Sequence, residues 1–401
     1  MLAYIIGVVL FALGICVSVA LHEAGHMLTA KAFGMKVRRY FIGFGPKVFS
    51  FRRGETEYGV KWVPLGGFCD IAGMTALDEV SPDEAPRAMW RFKTWKRTVV
   101  LSAGSLTHFV LGFVVLYAMA ATMGLPNVNG TPVVSSVSGC VQNGTTTDEI
   151  NNPVCRPGDP APAKQAGLQA GDKILSVGGT PTPTWSDTVV AVQAASGPTP
   201  VEVLRDGKTV TLTVDVPKVI RPTDTGDGTH LVGAIGVAPT SMFQYNPITA
   251  FGGATAYTGD MFVNAWERLL QFPERIPAVV HAIFGGQRDP NTPVSVIGAS
   301  RIGGEAVEAG LWSLFFLLLA SLNFFVGVFN LLPLLPLDGG HIAVTWYERI
   351  RDWVRKLRGK TAGGPVDYTK LSAVTMVLVF LGGAVTLLTV TADIVNPIRL
   401  Q

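Results

Sequence analysis

The chain has 401 residues, of which 48% are hydrophobic and only 15% are charged. Soluble proteins carry about 25% charged residues, so this composition argues against a soluble protein and favours a membrane protein. The net charge of +3 is too small to indicate nucleic-acid binding, and no run of Lys and Arg resembles a nucleic-acid patch.

Four segments lack Asp, Glu, Lys and Arg over enough residues to cross a bilayer, which takes about 20 residues of helix. They are residues 1–21, 99–123, 311–337 and 371–392. The first has no basic residue ahead of its apolar run and no small-residue cleavage site, so we expect it to stay in the mature protein. The predicted fold class is a polytopic α-helical membrane protein with four transmembrane helices, the first at 1–30.

The distribution of Lys and Arg predicts the orientation of the chain. Thirteen of them lie in residues 31–97, and a second group lies in residues 338–370. Positively charged connections remain in the cytoplasm, so the regions 31–98 and 338–370 are predicted to be cytoplasmic. Both termini and the long segment between the second and third spans would then be on the exported side of the cell inner membrane.

A candidate catalytic motif lies at the end of the first apolar segment, where residues 21–26 read LHEAGH. On a helix, His22 and His26 lie on one face and can bind one Zn²⁺ ion. Glu23 adjoins this pair, as expected of a general base that takes a proton from the attacking water. Idle polar residues at the end of a membrane helix are disfavoured because burying them in lipid is costly. The pattern predicts one zinc ion per chain.

The third apolar segment ends in NLLPLLPLDGGH, residues 330–341. Pro333 and Pro336 would end the helix, and irregular backbone at membrane depth is tolerated where it lines a protein cavity. A catalytic zinc needs a third protein ligand, for which Asp338 is the best candidate and His341 the rival. The alternative for Asp338 is a helix-stop residue in an ordinary Asp-Gly-Gly turn.

The first cytoplasmic region contains a predicted β-hairpin at residues 47–65, because aromatic and β-branched residues flank a Gly-containing turn. If the zinc activates water to attack a peptide bond of a membrane helix, that helix must first unwind so that water can reach the peptide carbonyl. Pairing with an open strand edge would replace the backbone hydrogen bonds that unwinding breaks. We therefore predict that the hairpin enters the membrane beside the zinc. The alternative is a surface hairpin anchored at the interface by Phe49, Phe51 and Trp62. The residues predicted to pair with substrate are Tyr58, Gly59, Val60, Lys61, Trp62 and Val63.

The exported segment divides near residue 240. Residues 124–240 alternate short strands with turn signals, and residues 241–310 form a Gly-rich amphipathic connector. Cys140 and Cys155 are both in the exported part, whereas Cys16 lies in the first span and Cys69 in a cytoplasmic region. The only plausible disulfide therefore joins Cys140 to Cys155.

Taken together, these motifs resemble the site-2 protease family of intramembrane metalloproteases. The resemblance rests on HEAGH at 22–26 and on NLLP and LDGG within 330–340. It extends to GFGP at 43–46, PLGGF at 64–68 and PVSV at 293–296, and residues 166–174 look like part of a bacterial PDZ domain. The closest branch is the bacterial one that includes regulator of sigma-E protease, which implies four spans, a membrane-associated hairpin and one exported α/β PDZ domain at 124–240.

The resemblance also implies roles for individual residues. His22, His26 and Asp338 correspond to the zinc ligands and Glu23 to the catalytic base. Asn330 corresponds to a residue held near the substrate or the transition state. The second span departs from the family pattern, since His108 stands where many members have Asn. His108 is either an extra polar group near the zinc or a hydrogen-bonded packing residue.

The predicted function is that of a metalloendopeptidase in regulated intramembrane proteolysis. As family members do with anti-sigma factors, it would cut single-span membrane proteins after a first protease. Its partners would be these substrates, the lipid bilayer and a peptide taken up by the PDZ domain as an added strand. The alternative is a non-enzymatic PDZ scaffold derived from such a protease, but a scaffold would be free to lose Glu23, His26 or Asp338. A transporter is weaker still, because the expected internal repeat is absent.

Overall fold

The computed structural model describes residues 1–75, 78–146, 149–150, 154–223 and 228–400. They form two compact units, which are described separately. One contains residues 1–123 and 245–401, and the other contains residues 124–244. In chain order the helices are α1 (Leu2–Ala32), α2 (Thr94–Thr122), α3 (Pro162–Gln165), α4 (Trp185–Ala194), α5 (Pro247–Ile283), α6 (Val296–Glu308), α7 (Trp312–Asn330), α8 (Asp338–Leu357) and α9 (Tyr368–Val395).

Four helices of the first unit are long and apolar enough to cross a membrane: α1, α2, α7 and residues 371–395 of α9. Each corresponds to one of the four predicted spans. Helix α7 ends at Asn330, seven positions earlier than predicted, because the segment with Pro333 and Pro336 leaves the helical path. The region predicted as the loop 338–370 begins with the helix α8.

Small residues allow the helices of this unit to approach closely. A Cβ atom at Gly25 of α1 would lie 2.7 Å from the carbonyl oxygen of Ala103 in α2. Similarly, a Cβ atom at Gly7 would lie 2.8 Å from Gly304 in α6. Interfaces between membrane helices depend on such packing because lipid provides no hydrophobic driving force. Glycine at these positions therefore fixes α2 and α6 against α1.

Two long strands, β1 (Val37–Arg53) and β2 (Thr56–Ile71), form the β-sheet of the first unit. Both strands bend, so that four segments lie side by side in the order 49–53, 56–60, 39–42 and 67–71. The bends occur where Gly43, Gly45 and Gly66 have positive φ angles, which glycine adopts without strain. The predicted hairpin 47–65 is therefore part of a larger antiparallel sheet, in which residues 49–53 form one edge and residues 56–60 an inner segment.

The unit 124–244 contains the remaining strands, with a four-stranded antiparallel sheet at its core in the order β6–β5–β7–β8. Val201 and Val203 alternate inward on β7 and pack with Ile174 and Val214, all less than 1% exposed. Three two-stranded pairs complete the unit: β3 with β12, β4 with β11, and β9 with β10. The strands are β3 (Leu125–Pro126), β4 (Val134–Val137), β5 (Lys173–Val177), β6 (Thr180–Pro181), β7 (Gly197–Arg205), β8 (Lys208–Val216), β9 (Lys218–Pro222), β10 (Thr229–Gly233), β11 (Val237–Pro239) and β12 (Met242–Phe243).

Two further sequence predictions concern the disulfide and the connector. A disulfide joins Cys140 to Cys155, as the distribution of cysteines indicates. The connector predicted at 241–310 is largely helical, since α5 and α6 occupy most of it. Asn246 caps α5 and Ser295 caps α6, each by accepting hydrogen bonds from backbone N–H groups of the first turn.

Candidate metal centre

Three side chains from two distant parts of the sequence meet at one point. His22 Nε2 and His26 Nε2 lie 3.1 Å apart, and each lies 3.4 Å from Asp338 Oδ2. Among the described residues, this is the group of His, Cys, Asp and Glu side chains whose ligand atoms could hold a metal ion. Helical spacing brings the two imidazoles together, and the start of α8 brings the carboxylate.

The surroundings fix the orientation of both imidazoles. His26 Nδ1 lies 2.7 Å from the carbonyl oxygen of Val100, so it must donate its proton there, which leaves the Nε2 lone pair for a metal. His22 Nδ1 is buried and has no hydrogen-bond partner among the described residues. Gly104 of α2 lies against the metal-binding nitrogens of both rings, since a Cβ atom there would lie 2.6 Å from His22 Nε2. Close packing therefore replaces a hydrogen bond in holding His22.

The third donor is delivered by the break between α7 and α8. Asp338 is the first residue of α8 and the acidic residue of its first turn. The two following glycines are buried against the loop that precedes them, and a Cβ atom at Gly340 would lie 2.6 Å from Leu335 N. A larger residue at Gly340 would push the loop away from the helix. The Asp-Gly-Gly sequence thus serves close packing at the helix start, with the carboxylate facing the imidazoles.

The donor set fits zinc. A tetrahedral Zn²⁺ ion has Zn–N and Zn–O bonds of about 2.0–2.2 Å, which places its ligand atoms about 3.3 Å apart. The three separations of 3.1, 3.4 and 3.4 Å agree with this geometry. Two histidines and one carboxylate are also a ligand set of catalytic zinc sites, which leave the fourth position to water or substrate.

Glu23 lies between the donor group and the β-sheet. A Cβ atom at Gly67 would lie 3.0 Å from Glu23 Cγ, and the backbone of Cys69 hydrogen-bonds the Glu23 carboxylate. Tyr40 donates a hydrogen bond to the carbonyl oxygen of Ala20, which joins the sheet to α1 one turn before Glu23. Burial, followed by the neighbouring Glu23 carboxylate, raises the pKa of Tyr40 to about 12, so this hydroxyl remains a donor.

Other predicted residues occupy different surroundings. Asn330 is the last residue of α7 and is half-buried. His341, the rival ligand, lies outside the donor group, and its ring stacks on Tyr368 with centroids 6.4 Å apart. His108 is 3% exposed, and its ring centroid lies 4.9 Å from that of His22.

The structure differs from the prediction for the substrate-pairing stretch. Tyr58, Gly59 and Val60 already pair on both sides, with residues 49–51 and with residues 40–42. These three residues therefore present no open edge, and a substrate strand could pair there only by displacing a neighbour. The two edges of the sheet are residues 49–53 and 67–71, and the second of these lies against Glu23.

Sequence reasoning also missed Asn323, because nothing distinguishes a single Asn in an apolar helix. In the structure, Asn323 Oδ1 lies 2.9 Å from His108 Nδ1. A physical argument could have found it. A buried amide inside a membrane span needs a hydrogen-bond partner, and His108 is the histidine of the neighbouring span.

Comparison with known proteins shows the family of the chain. Residues 10–381 match the model of peptidase family M50. The chain belongs to peptidase family M50. It is 50% identical to zinc metalloprotease Rip1 of Mycolicibacterium smegmatis, covering 98% of both chains, and 49% identical to Rip1 of Mycobacterium tuberculosis, covering 99% of both. It is 29% identical to metalloprotease MmpA of Caulobacter vibrioides, covering 87% of this chain and 88% of that one.

These findings confirm the predicted family, enzyme class and cofactor. The chain is an intramembrane metalloendopeptidase that uses zinc. It is embedded in the lipid bilayer, and its substrates are membrane proteins.

Proposed function

We propose that this member of the family hydrolyses peptide bonds within or next to the transmembrane segments of membrane proteins, with His22, His26 and Asp338 holding the zinc. The observation that carries the proposal is the meeting of these three donor atoms beside Glu23. When bound, zinc lowers the pKa of a water ligand to about 7 and polarises the scissile carbonyl. Glu23 takes the proton of the attacking water and returns it to the leaving amine.

The substrate reaches this site as an extended strand at residues 67–71. This segment is an edge of the sheet, and Glu23 contacts it at Gly67 and Cys69. A strand added outside it would lie close to the catalytic base, and its backbone groups would gain the hydrogen bonds that unwinding removes. Trp62 and Val63, which the sequence predicts to pair with substrate, are exposed near the bend of β2 and would contact the substrate side chains instead.

Single-span proteins shortened by an earlier protease, such as anti-sigma factors, are the proposed substrates. The exported PDZ domain predicted at residues 124–240, which makes up most of the unit 124–244, would admit shortened chains and exclude large ones. A groove of about 380 Å³ in this unit supports the assignment, since it is lined by Trp185 and Val189 of α4 and by the segment 232–238. A peptide strand between a helix and a strand edge is the binding mode of PDZ domains.

The positive-inside rule supports an orientation with both termini exported and with α8 and the β-sheet at the cytoplasmic side of the inner membrane. Residue 1 at the start of α1 and residue 395 at the end of α9 would then share the exported side. Asp338 and the zinc would lie near the cytoplasmic side.

The zinc assignment is tested with three purified variants. Glu23→Gln is expected to retain one zinc per chain and to lose cleavage of a single-span substrate, because it removes the base and keeps the ligands. Asp338→Ala is expected to lose both, and His341→Ala is the matched control that keeps both. Cleavage by Glu23→Gln, or zinc retention by Asp338→Ala together with zinc loss in His341→Ala, would overturn the assignment.

The substrate edge is tested by photo-crosslinking in the Glu23→Gln background. A photoreactive phenylalanine analogue at Phe68 is expected to capture the cleavage region of the substrate. The same analogue at Phe49, on the opposite edge of the same sheet, is the control and should capture little. Equal capture at both positions, or capture only at Phe49, would show that the substrate strand does not pair at 67–71.

A further inference from the structure

Helix α8, which begins with Asp338, has an exposed apolar face. Trp346, Ile350, Trp353 and Leu357 recur at the spacing of one helix face, with Tyr347 beside them. All five are exposed, Trp353 by 58% and Leu357 by 68%. An apolar stripe of this kind on a polar helix is typical of a helix that lies in the plane of a membrane interface.

Cationic side chains line both borders of this stripe. Arg349 and Lys356 are two turns apart on one border, and Arg351 and Arg358 are two turns apart on the other. Arg351 pairs with Asp352, whereas Arg349, Lys356 and Arg358 are exposed and form no ion pair with any described residue. Their long side chains would extend toward headgroups while the stripe enters the acyl region.

The opposite face of α8 packs on the protein, which fixes how the stripe faces outward. Thr345 is 2% exposed on that face, and at the edge of the stripe the Trp346 indole N–H donates to Thr98 Oγ1 of α2 at 3.1 Å. Glu348 accepts a hydrogen bond from the Val366 backbone and lies 3.5 Å from Arg97. The helix is therefore held in one rotation about its axis.

Beside α8 lies an open cavity of about 1090 Å³ with an aromatic and cationic lining. Its wall includes Trp95 and Trp346, together with Lys93, Arg97 and Arg349. Arg97 Nε is buried and has no hydrogen-bond partner among the described residues, although Arg97 Nη1 faces Glu348. The carboxylate of Asp352, also in the wall, is occupied by Arg351 and by the Gly363 N–H. Lys93 and Arg349 in this wall are exposed and form no ion pair with any described residue, so the cavity offers free cationic side chains to an anionic headgroup.

The position of α8 in the chain identifies its occupant as lipid rather than protein. The span α7 ends at Asn330, shortly before α8, and the last span begins at residue 371, shortly after it. Both ends of α8 are therefore tethered at the bilayer surface. Cations at that surface attract anionic lipids by about 1 kcal/mol each, which is roughly fivefold in affinity.

We propose that α8 and the adjoining cavity bind anionic glycerophospholipids, and that this contact holds Asp338 in place. The link is covalent and short, because the lipid-binding helix starts at the residue that we propose as the third zinc ligand. Lipid contact with the stripe would therefore restrict the motion of the Asp338 carboxylate relative to His22 and His26. The inference rests on the proposed zinc site only for this last step.

Lipid binding is tested without relying on cleavage. The full-length protein with a photoreactive phenylalanine analogue at Trp353 is placed in nanodiscs of phosphatidylcholine, with or without phosphatidylglycerol. Mass spectrometry is expected to show lipid adducts at Trp353, enriched in phosphatidylglycerol, and few adducts for the same analogue at buried Thr345. Absence of lipid adducts, or a protein adduct in their place, would overturn the proposal.

Two double variants test the role of charge. Arg349→Gln with Lys356→Gln should lower the phosphatidylglycerol enrichment roughly fivefold for each cation removed. Lys164→Gln with Lys208→Gln, which removes two exposed cations from the unit 124–244, should leave it unchanged. An equal effect of the two variants would overturn the headgroup assignment.

The coupling to Asp338 is tested by the rate at which a chelator removes zinc. Phosphatidylglycerol is expected to slow zinc loss several-fold and to speed substrate cleavage in the wild type, and neither effect should appear in Arg349→Gln with Lys356→Gln. Zinc loss that is independent of the lipid would overturn the coupling. Lipid adducts without any proteolysis in either lipid would instead overturn the proposed function and leave the lipid site in place.

Discussion

His108 Nδ1 lies 2.9 Å from Asn323 Oδ1, which joins the second and third spans inside the membrane. Asn323 Nδ2 donates to the Leu319 carbonyl oxygen at 2.8 Å, so the amide oxygen faces His108. His108 Nδ1 must therefore carry a proton and donate it. The pair fixes the orientation of His108, and the His108 ring in turn packs beside the ring of His22.

Replacing Asn323 by Leu is expected to weaken zinc binding or kcat by roughly tenfold or more, the usual cost of losing a group that orients a metal ligand. The reason is that His108 would lose its hydrogen bond to Asn323 and no longer hold His22, whose Nδ1 has no hydrogen-bond partner among the described residues. Zinc affinity by chelator competition and steady-state kinetics are the measurements. Ser321→Ala on the same helix is the control. Unchanged affinity and kcat in Asn323→Leu would contradict the role.

Gly104→Ala is expected to remove zinc. The added methyl group would lie against the Nε2 atoms of both imidazoles, 2.6 Å from that of His22, and would crowd the atoms that bind the metal. Metal analysis of the purified variant is the measurement. The control is Gly383→Ala in α9, where an added Cβ meets nothing within 4 Å among the described residues. A Gly104→Ala protein with a full complement of zinc would refute this explanation of how the ligands are held.

The parts of this molecule that the sequence predicts are those set by local periodicity or short motifs. Four uncharged segments indicated the spans, and helical spacing placed His22 and His26 on one face. Asp338 could be proposed because two prolines and two glycines mark a helix break at membrane depth. The disulfide between Cys140 and Cys155 followed from the predicted side of the membrane.

The parts that the sequence does not predict depend on distant pairing. Residues 56–60 pair on both sides because residues 39–42 fold back beside them. The alternation of hydrophobic residues along the sequence does not predict the register of such a folded-back segment. The pairing of His108 with Asn323 spans 215 residues, which no local pattern encodes. The sequence also does not reveal the helix α8 within the predicted loop 338–370, because the apolar residues of this amphipathic helix are separated by charged residues.

Replacing both Cys140 and Cys155 by Ser is expected to destabilise the unit 124–244. The disulfide closes a loop of 15 residues, for which the chain-entropy model gives about 3 kcal/mol. The loop also lines the groove beside α4 through Gln142 and Ile150, so that groove should become more accessible to proteases. Limited proteolysis of the full-length protein is the measurement, with reduced wild type as a comparison. A cleavage pattern that is identical with and without the disulfide would contradict the expectation.

A buried ion pair connects α9 to the segment between α5 and α6. Arg288 Nη2 lies 2.8 Å from Asp393 Oδ1, and their side chains are only 4% and 1% exposed. Asp393 Oδ2 also accepts a hydrogen bond from the Ser295 backbone at 2.6 Å, at the start of α6. The carboxylate therefore holds both the segment before α6 and the first turn of that helix.

Removing one member of this pair is expected to cost about 3–5 kcal/mol, because the other charge would remain buried without a partner. Arg288→Met and Asp393→Leu are therefore each predicted to lower the free energy of unfolding of the detergent-solubilised protein. The double variant should be more stable than the sum of the two single changes predicts, since it leaves no buried charge. Denaturant unfolding of the four proteins measures this coupling. Additive effects would mean that the two residues stabilise the protein independently, and that the ion pair does not fix α6 to α9.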